Sequence, residues 1–120
     1  LKNRFPEVAL VQGNIMDYDN PQNQALKRAF DTCDVFIWNS GMHLNFGLFS
    51  KDPATPVWSL APINYAYTKN IPVVLYGHSF DKFDDNMHIA YRAALDQCAM
   101  ILCRDKESEK FMQQLGFRPR

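Results

Sequence analysis

The 120-residue sequence predicts an α/β domain, a parallel sheet with helices packed on both of its faces. Two observations carry this reading. The first is a pair of short, wholly apolar runs, Val73-Val74-Leu75-Tyr76 and Met100-Ile101-Leu102-Cys103, each ending abruptly in polar groups. A continuous apolar run of this length suits a strand buried on both faces, as in a parallel sheet covered by helices. The second is alternation. Four such runs are separated by segments whose apolar residues recur at helical spacing, and strand–helix alternation with right-handed crossovers builds a parallel sheet.

Taken in order, Val8-Ala9-Leu10-Val11 is the first predicted strand, ending in Gln12-Gly13-Asn14. A helix is predicted from Pro21, with Asn20 as N-cap and Pro at the first helical position. Its stripe is Ala25, Leu26, Ala29, Phe30 and Cys33. Val35-Phe36-Ile37-Trp38 is the second strand, closed by Asn39-Ser40-Gly41. A poorly patterned stretch, Met42 to Thr55, follows; loops of this length in compact domains are usually functional or mobile. Pro56 and Pro62 interrupt the next helical segment, which places its start near Ala61 and its end by Asn70. Val73 to Tyr76 is the third strand. Asp84 or Asp85 caps the third helix, with Met87, Ala90, Tyr91, Ala94 and Cys98 as its stripe. Met100 to Cys103 is the fourth strand. Asp105 caps the last helix, whose inner face is Phe111, Met112 and Leu115 and whose C′ residue is Gly116.

Composition narrows the function. Lys+Arg and Asp+Glu balance at 13 each, so no net field draws the chain to nucleic acid or to an anionic membrane. No apolar run approaches the roughly 18 residues of a membrane span. Cys33, Cys98 and Cys103 lack paired spacing, and His43, His78 and His88 complete no zinc set, so free thiols in a reducing compartment are expected. A start at Leu1 and an end at Arg118-Pro119-Arg120 read as one piece of a longer protein, a single partial domain over 1–120.

In parallel α/β sheets, ligands bind beyond the carboxyl ends of the strands. That edge is predicted to carry Gln12 and Asn14, then Asn39, Ser40 and Gly41, then His78 and Ser79, and finally Arg104. Each has a structural alternative. Gly41 either makes a turn or lets backbone N–H groups approach an anion. His78 is either a hydrogen-bonded structural residue or a group that relays protons near neutrality. Arg104 either pairs with Asp105 or Glu107, or offers a fork to a carboxylate or phosphate. Trp38, Trp58 and the Phe-rich loop from Leu44 to Phe49 are either packing residues or a sugar platform.

At these residues the sequence resembles the polysaccharide pyruvyl transferase family, notably the colanic-acid type. The likeness runs from about Asp31 to Phe117. It rests on Asp34 to Gly41, on Pro72-Val73-Val74-Leu75-Tyr76-Gly77-His78-Ser79, and on Ile101-Leu102-Cys103-Arg104-Asp105-Lys106-Glu107-Ser108 followed by Leu115-Gly116. Ser40-Gly41-Met42 replaces the family's usual run of glycines, and Phe80-Asp81-Lys82-Phe83 replaces Gly-Pro. The resemblance implies two Rossmann-like domains facing a cleft, a GT-B-like plan of which this chain is part of the first domain and the second is absent. It implies transfer of an enolpyruvyl unit from phosphoenolpyruvate to a sugar of an exopolysaccharide or cell-surface glycan intermediate, the acceptor being free or lipid-linked. Asn39, Ser40, Gly41, His78, Ser79 and Arg104 are then the substrate-binding candidates, with His78 as the candidate acid. No cofactor and no metal are called for. The parent would be cytoplasmic, at or near the inner face of the plasma membrane, and this piece alone inactive. Two alternatives stay open: a GT-B-like glycosyltransferase using a nucleotide sugar, told apart by nucleoside diphosphate release, and a non-catalytic Rossmann-like binding module, told apart by the flanking sequence.

Overall fold

Residues 7–42, 44–45, 54–83 and 88–119 are described by a computed structural model of the protein. From residue 24 onward helix and strand alternate: α1 (Gln24–Asp31), β1 (Phe36–Gly41), α2 (Ala54–Thr68), β2 (Val73–His78), α3 (His88–Asp96), β3 (Met100–Cys103) and α4 (Lys106–Gln114). The strands form one sheet in the order β1-β2-β3, and both pairings are parallel, as the alternation predicts. Phe36 lies beside Val73, Asn39 beside Tyr76 and Tyr76 beside Leu102.

Both crossovers step the same way across the sheet. Right-handed connections of that kind bring their helices to one face, and α2 and α3 do pack on each other. Phe83, just after β2, stacks on Tyr91 of α3 at 4.2 Å and meets Phe111 of α4 edge-on at 5.3 Å, so α4 joins the same layer. Trp38, Val73, Leu75 and Ile101 point into that layer and are buried there with Leu60, Ile63 and Ala66 of α2, Tyr91, Ala94 and Leu95 of α3, and Met112 of α4. The opposite face carries Ile37, Asn39, Val74, Tyr76, Met100 and Leu102, and Ile37 and Tyr76 are each 55% exposed. Helices on both faces were expected; among the described residues they cover one.

The first predicted strand is a second correction. Residues 8–11 pair with neither edge of the sheet, and Val8, Leu10 and Val11 are exposed. A short apolar run becomes a strand only where a neighbour takes its N–H and C=O groups. Three strands rather than four are therefore present among the described residues.

Helix boundaries follow local chemistry. Asn23 rather than Asn20 caps α1, its Oδ1 accepting from Leu26 N at 3.2 Å, while Asn20 closes a turn onto Gln22 N. Lys27, Asp31 and the Tyr65 hydroxyl then join α1 to α2. α2 starts at Ala54, not near Ala61. Pro56 falls in its first turn, where an N–H has no intrahelical acceptor to lose, and Pro62 is fully buried, so packing offsets its missing hydrogen bond. Asp84, Asp85 and Met87, predicted at the start of α3, lie outside the described residues. Asp105 caps α4 as predicted, and Gly116 takes φ +82 at C′ with Phe117 N donating back to Met112 O at 3.0 Å.

Candidate functional site

The carboxyl edge of the sheet is built by two sequence motifs that hold each other. Asp105 Oδ1 accepts from Ser108 N at 2.8 Å, which caps α4, and Asp105 Oδ2 accepts from the Ser79 hydroxyl at 3.1 Å. Ser108 Oγ in turn accepts from Phe80 N at 2.9 Å. The backbone adds two more ties: Arg104 N donates to His78 O at 2.9 Å, and Ser79 N donates to Gly41 O at 3.0 Å. The Gly-His-Ser and Arg-Asp-x-x-Ser segments are therefore one hydrogen-bonded unit spanning all three strand ends. Donation from the Ser108 backbone and hydroxyl, followed by Ser79 and the Arg104 charge, holds the Asp105 carboxyl below its ordinary range.

Asn45 is a member of this unit that the sequence pattern did not single out. It is buried, its Nδ2 donates to Ser79 O at 3.0 Å, and its Oδ1 accepts from Asp81 N at 2.9 Å. Its one legible sign was an Asn inside the unpatterned stretch that follows the second predicted strand. A side-chain amide suits that position because it can donate to and accept from two turns of backbone at once.

The predicted site residues divide into two sets. Asn39 and Arg104 are exposed. Asn39 sits on the open face of β1 beside Tyr76, and Arg104 follows β3 directly. Gly41 pairs with His78 and gives its carbonyl to Ser79. Ser40 belongs to β1, and its side chain lies outside the described residues. Ser79 is buried as the link to Asp105. Gln12 and Asn14 are not on the edge, since no strand precedes them; Asn14 caps a 3-10 turn at Ile15–Asp17 through Met16 N.

His78 lies inside the fold rather than on the open edge. Its ring has no solvent exposure and lies edge-on to Trp38 at 5.7 Å and near-parallel to Phe80 at 6.1 Å. Strict alternation would put His78 on the open face with Tyr76. Gly77 breaks the alternation: its φ of +67 shifts the register between Tyr76 and His78 and turns the histidine to the covered side. His78 thus presents no atom to the open edge in this structure.

Gly77 also shapes what is open. Nothing lies within 4 Å of where a Cβ would stand, and a cavity of about 360 Å³ is lined there by Tyr76, Gly77, Leu102, Cys103 and Arg104. Burial pushes the Cys103 thiol up to about 11, with Glu109 and Asp105 adding to the shift, so it lines the cavity as a neutral, weakly nucleophilic group. Among the described residues no group of three or more His, Cys, Asp or Glu side chains is placed to hold a metal ion, and no helix is long and apolar enough to cross a membrane.

The arrangement is a parallel-sheet edge with one exposed guanidinium, one half-exposed aromatic ring and one exposed amide beside a hydrogen-bonded frame. It can bind a small polar ligand that bears an anionic group. Neither the curated proteins nor the solved structures include one that matches the chain. A family model does match, over residues 1–120, and its description is polysaccharide pyruvyl transferase. By that match across its whole length, the chain belongs to the polysaccharide pyruvyl transferase family.

Proposed function

We propose that this chain is part of the first domain of an enzyme that moves the enolpyruvyl unit of phosphoenolpyruvate onto a sugar of an exopolysaccharide or cell-surface glycan intermediate. In that reaction a proton adds to the methylene carbon of the enol. Two sugar hydroxyls then bond to the former enol carbon as its bond to the phosphate oxygen breaks. Of their two protons, one replaces the proton added to carbon and the other leaves with phosphate, giving a pyruvate ketal and inorganic phosphate. The carrying observation is the family match over all 120 residues, with the family's Arg-Asp-x-x-Ser segment built here into a frame that fixes Arg104 at the sheet edge.

Each residue's role follows from where it stands. Arg104 meets the carboxylate or phosphate of the donor through its planar fork. Asp105, Ser79 and Ser108 are positioning residues that hold the Arg104 backbone through its neighbour Asp105. His78 packs behind the strand ends and orients them. The second domain of the parent supplies the remaining cationic groups and the acid, and the chain alone is inactive. The reaction runs in the cytoplasm, at or near the membrane face where glycan intermediates are assembled. A nucleotide-sugar transferase is disfavoured by Asp105: its carboxylate already occupies the N-terminus of α4, the position an incoming diphosphate would take.

Turnover of the full-length parent with phosphoenolpyruvate and candidate glycans tests this. Phosphate release with a pyruvyl mass gain on the glycan supports it, and Arg104→Met should lower turnover tenfold or more, about 1.4 kcal/mol of transition-state binding, at unchanged melting temperature. Release of a nucleoside diphosphate from a nucleotide sugar would refute it.

A further inference from the structure

We propose that Asn45 is a positioning residue for Arg104 and acts on it through the loop that follows β2. The proposal rests on the reading of Arg104 as the group that meets the donor's anionic end. It adds to that site a residue from the segment after β1.

Side chains hold the loop after β2. Ser79 O, Phe80 N and Asp81 N are three successive backbone groups, and each is met by a side chain. Asn45 takes the first and the third, its Nδ2 donating to Ser79 O at 3.0 Å and its Oδ1 accepting from Asp81 N at 2.9 Å. Ser108 Oγ accepts from the one between, Phe80 N, at 2.9 Å. Asn45 is itself fixed. Its backbone N donates to Met42 O at 3.1 Å, just past the end of β1, and Leu44 beside it has no solvent exposure. The buried amide therefore clamps Ser79 from the β1 side with its donor and its acceptor both engaged.

Two paths lead on from Ser79 to Arg104. In the first, the Ser79 hydroxyl donates to Asp105 Oδ2 at 3.1 Å, while Asp105 Oδ1 is committed to Ser108 N at 2.8 Å. Asp105 is the next residue after Arg104. In the second, Arg104 N donates at 2.9 Å to the carbonyl of His78, the residue before Ser79. A guanidinium on a long stem meets an anion reproducibly only when the backbone that carries it is fixed, and supporting hydrogen bonds supply that precision. An amide is the side chain this place needs. A carboxylate at position 45 keeps the acceptor for Asp81 N but sets an anionic oxygen against the Ser79 carbonyl.

A double-mutant cycle in the full-length parent tests this, with Asn45→Asp and Arg104→Met made singly and together. The readouts are kcat/KM for phosphoenolpyruvate, phosphoenolpyruvate affinity by titration calorimetry, and melting temperature. Asn45→Asp alone should lower kcat/KM and affinity for phosphoenolpyruvate about three- to tenfold and leave the acceptor KM unchanged. In the Arg104→Met background the same change should cost less than about twofold, because the guanidinium it positions is gone. Any drop in melting temperature should be equal in the two backgrounds. Ser79→Ala, which removes only the hydroxyl link to Asp105, should repeat the coupling and decides the matter if Asn45→Asp does not fold. Equal losses in both backgrounds, no loss from either substitution, or phosphoenolpyruvate affinity that is absent or indifferent to Arg104→Met would each overturn the proposal. The two readings fail separately. Coupled loss of phosphoenolpyruvate affinity without pyruvyl transfer removes the reaction and leaves the positioning role. Pyruvyl transfer with uncoupled losses leaves the reaction and removes the positioning role.

Discussion

Gly77 shows how much one backbone angle decides. With φ at +67, an L residue there is held in a conformation that costs about 1–3 kcal/mol, although nothing within 4 Å would collide with its Cβ. Gly77→Ala should therefore destabilise the protein by about that amount in urea titration, through strain alone. An unchanged midpoint would mean that the turn at Gly77 is not fixed. Ser108 makes a complementary case through a hydrogen bond. Its buried hydroxyl accepts from Phe80 N, and Ser108→Ala would leave that buried N–H unsatisfied at a cost of about 1–3 kcal/mol. Ser108→Thr, which keeps the acceptor, should recover most of the loss. The thiols carry a pH signature. Burial raises Cys98 from 9.0 to about 12, so its contribution to stability is complete below pH 9 and is lost as pH climbs toward 12. Melting temperature measured from pH 8 to 11 should fall in wild type and fall less in Cys98→Ala; equal slopes would contradict it.

At the scale of elements, the junction of β2, β3 and α4 is a single cooperative unit tied by Asp105. Because its carboxyl is held below the ordinary range, the stabilisation is present at neutral pH and is lost as pH falls through the low carboxylate range. Asp105→Ala should therefore abolish the low-pH part of the stability profile and lower turnover with Arg104 intact, whereas Asp105→Asn, an equally good cap, should keep the helix. Much of this unit was legible beforehand. The apolar runs ending in polar groups marked β2 and β3, and Asp105 with Gly116 marked both ends of α4, because caps and strand burial are local in sequence. What escaped notice depended on long-range partners. Val8 to Val11 has the composition of a strand but pairs with no strand among the described residues. Pro62 breaks the helical rule and is accommodated by burial in the core. His78 turns inward behind a glycine whose positive φ no composition signal reveals. Asn45 bridges positions 34 and 36 residues away, a role that spacing does not encode.

For the whole molecule, we propose that a sheet three-stranded and one-sided among the described residues delivers Arg104 to the edge where a glycan receives a pyruvyl unit. One consequence is physical: Ile37 and Tyr76 leave apolar surface in water on the open face, as do Trp58 and Ile89 elsewhere. The chain on its own should then melt broadly, with a midpoint that depends on concentration, and a sharp, concentration-independent transition would contradict that. The claim itself is met most directly by one measurement on the full-length parent. Phosphate release and glycan mass are followed together, with phosphoenolpyruvate as donor, in wild type and in Arg104→Met. A pyruvyl mass gain matched by phosphate is expected in wild type, and at least a tenfold slower rate in Arg104→Met at an unchanged melting temperature. A full wild-type rate in Arg104→Met, or phosphate release with no gain of mass on any glycan, would contradict it.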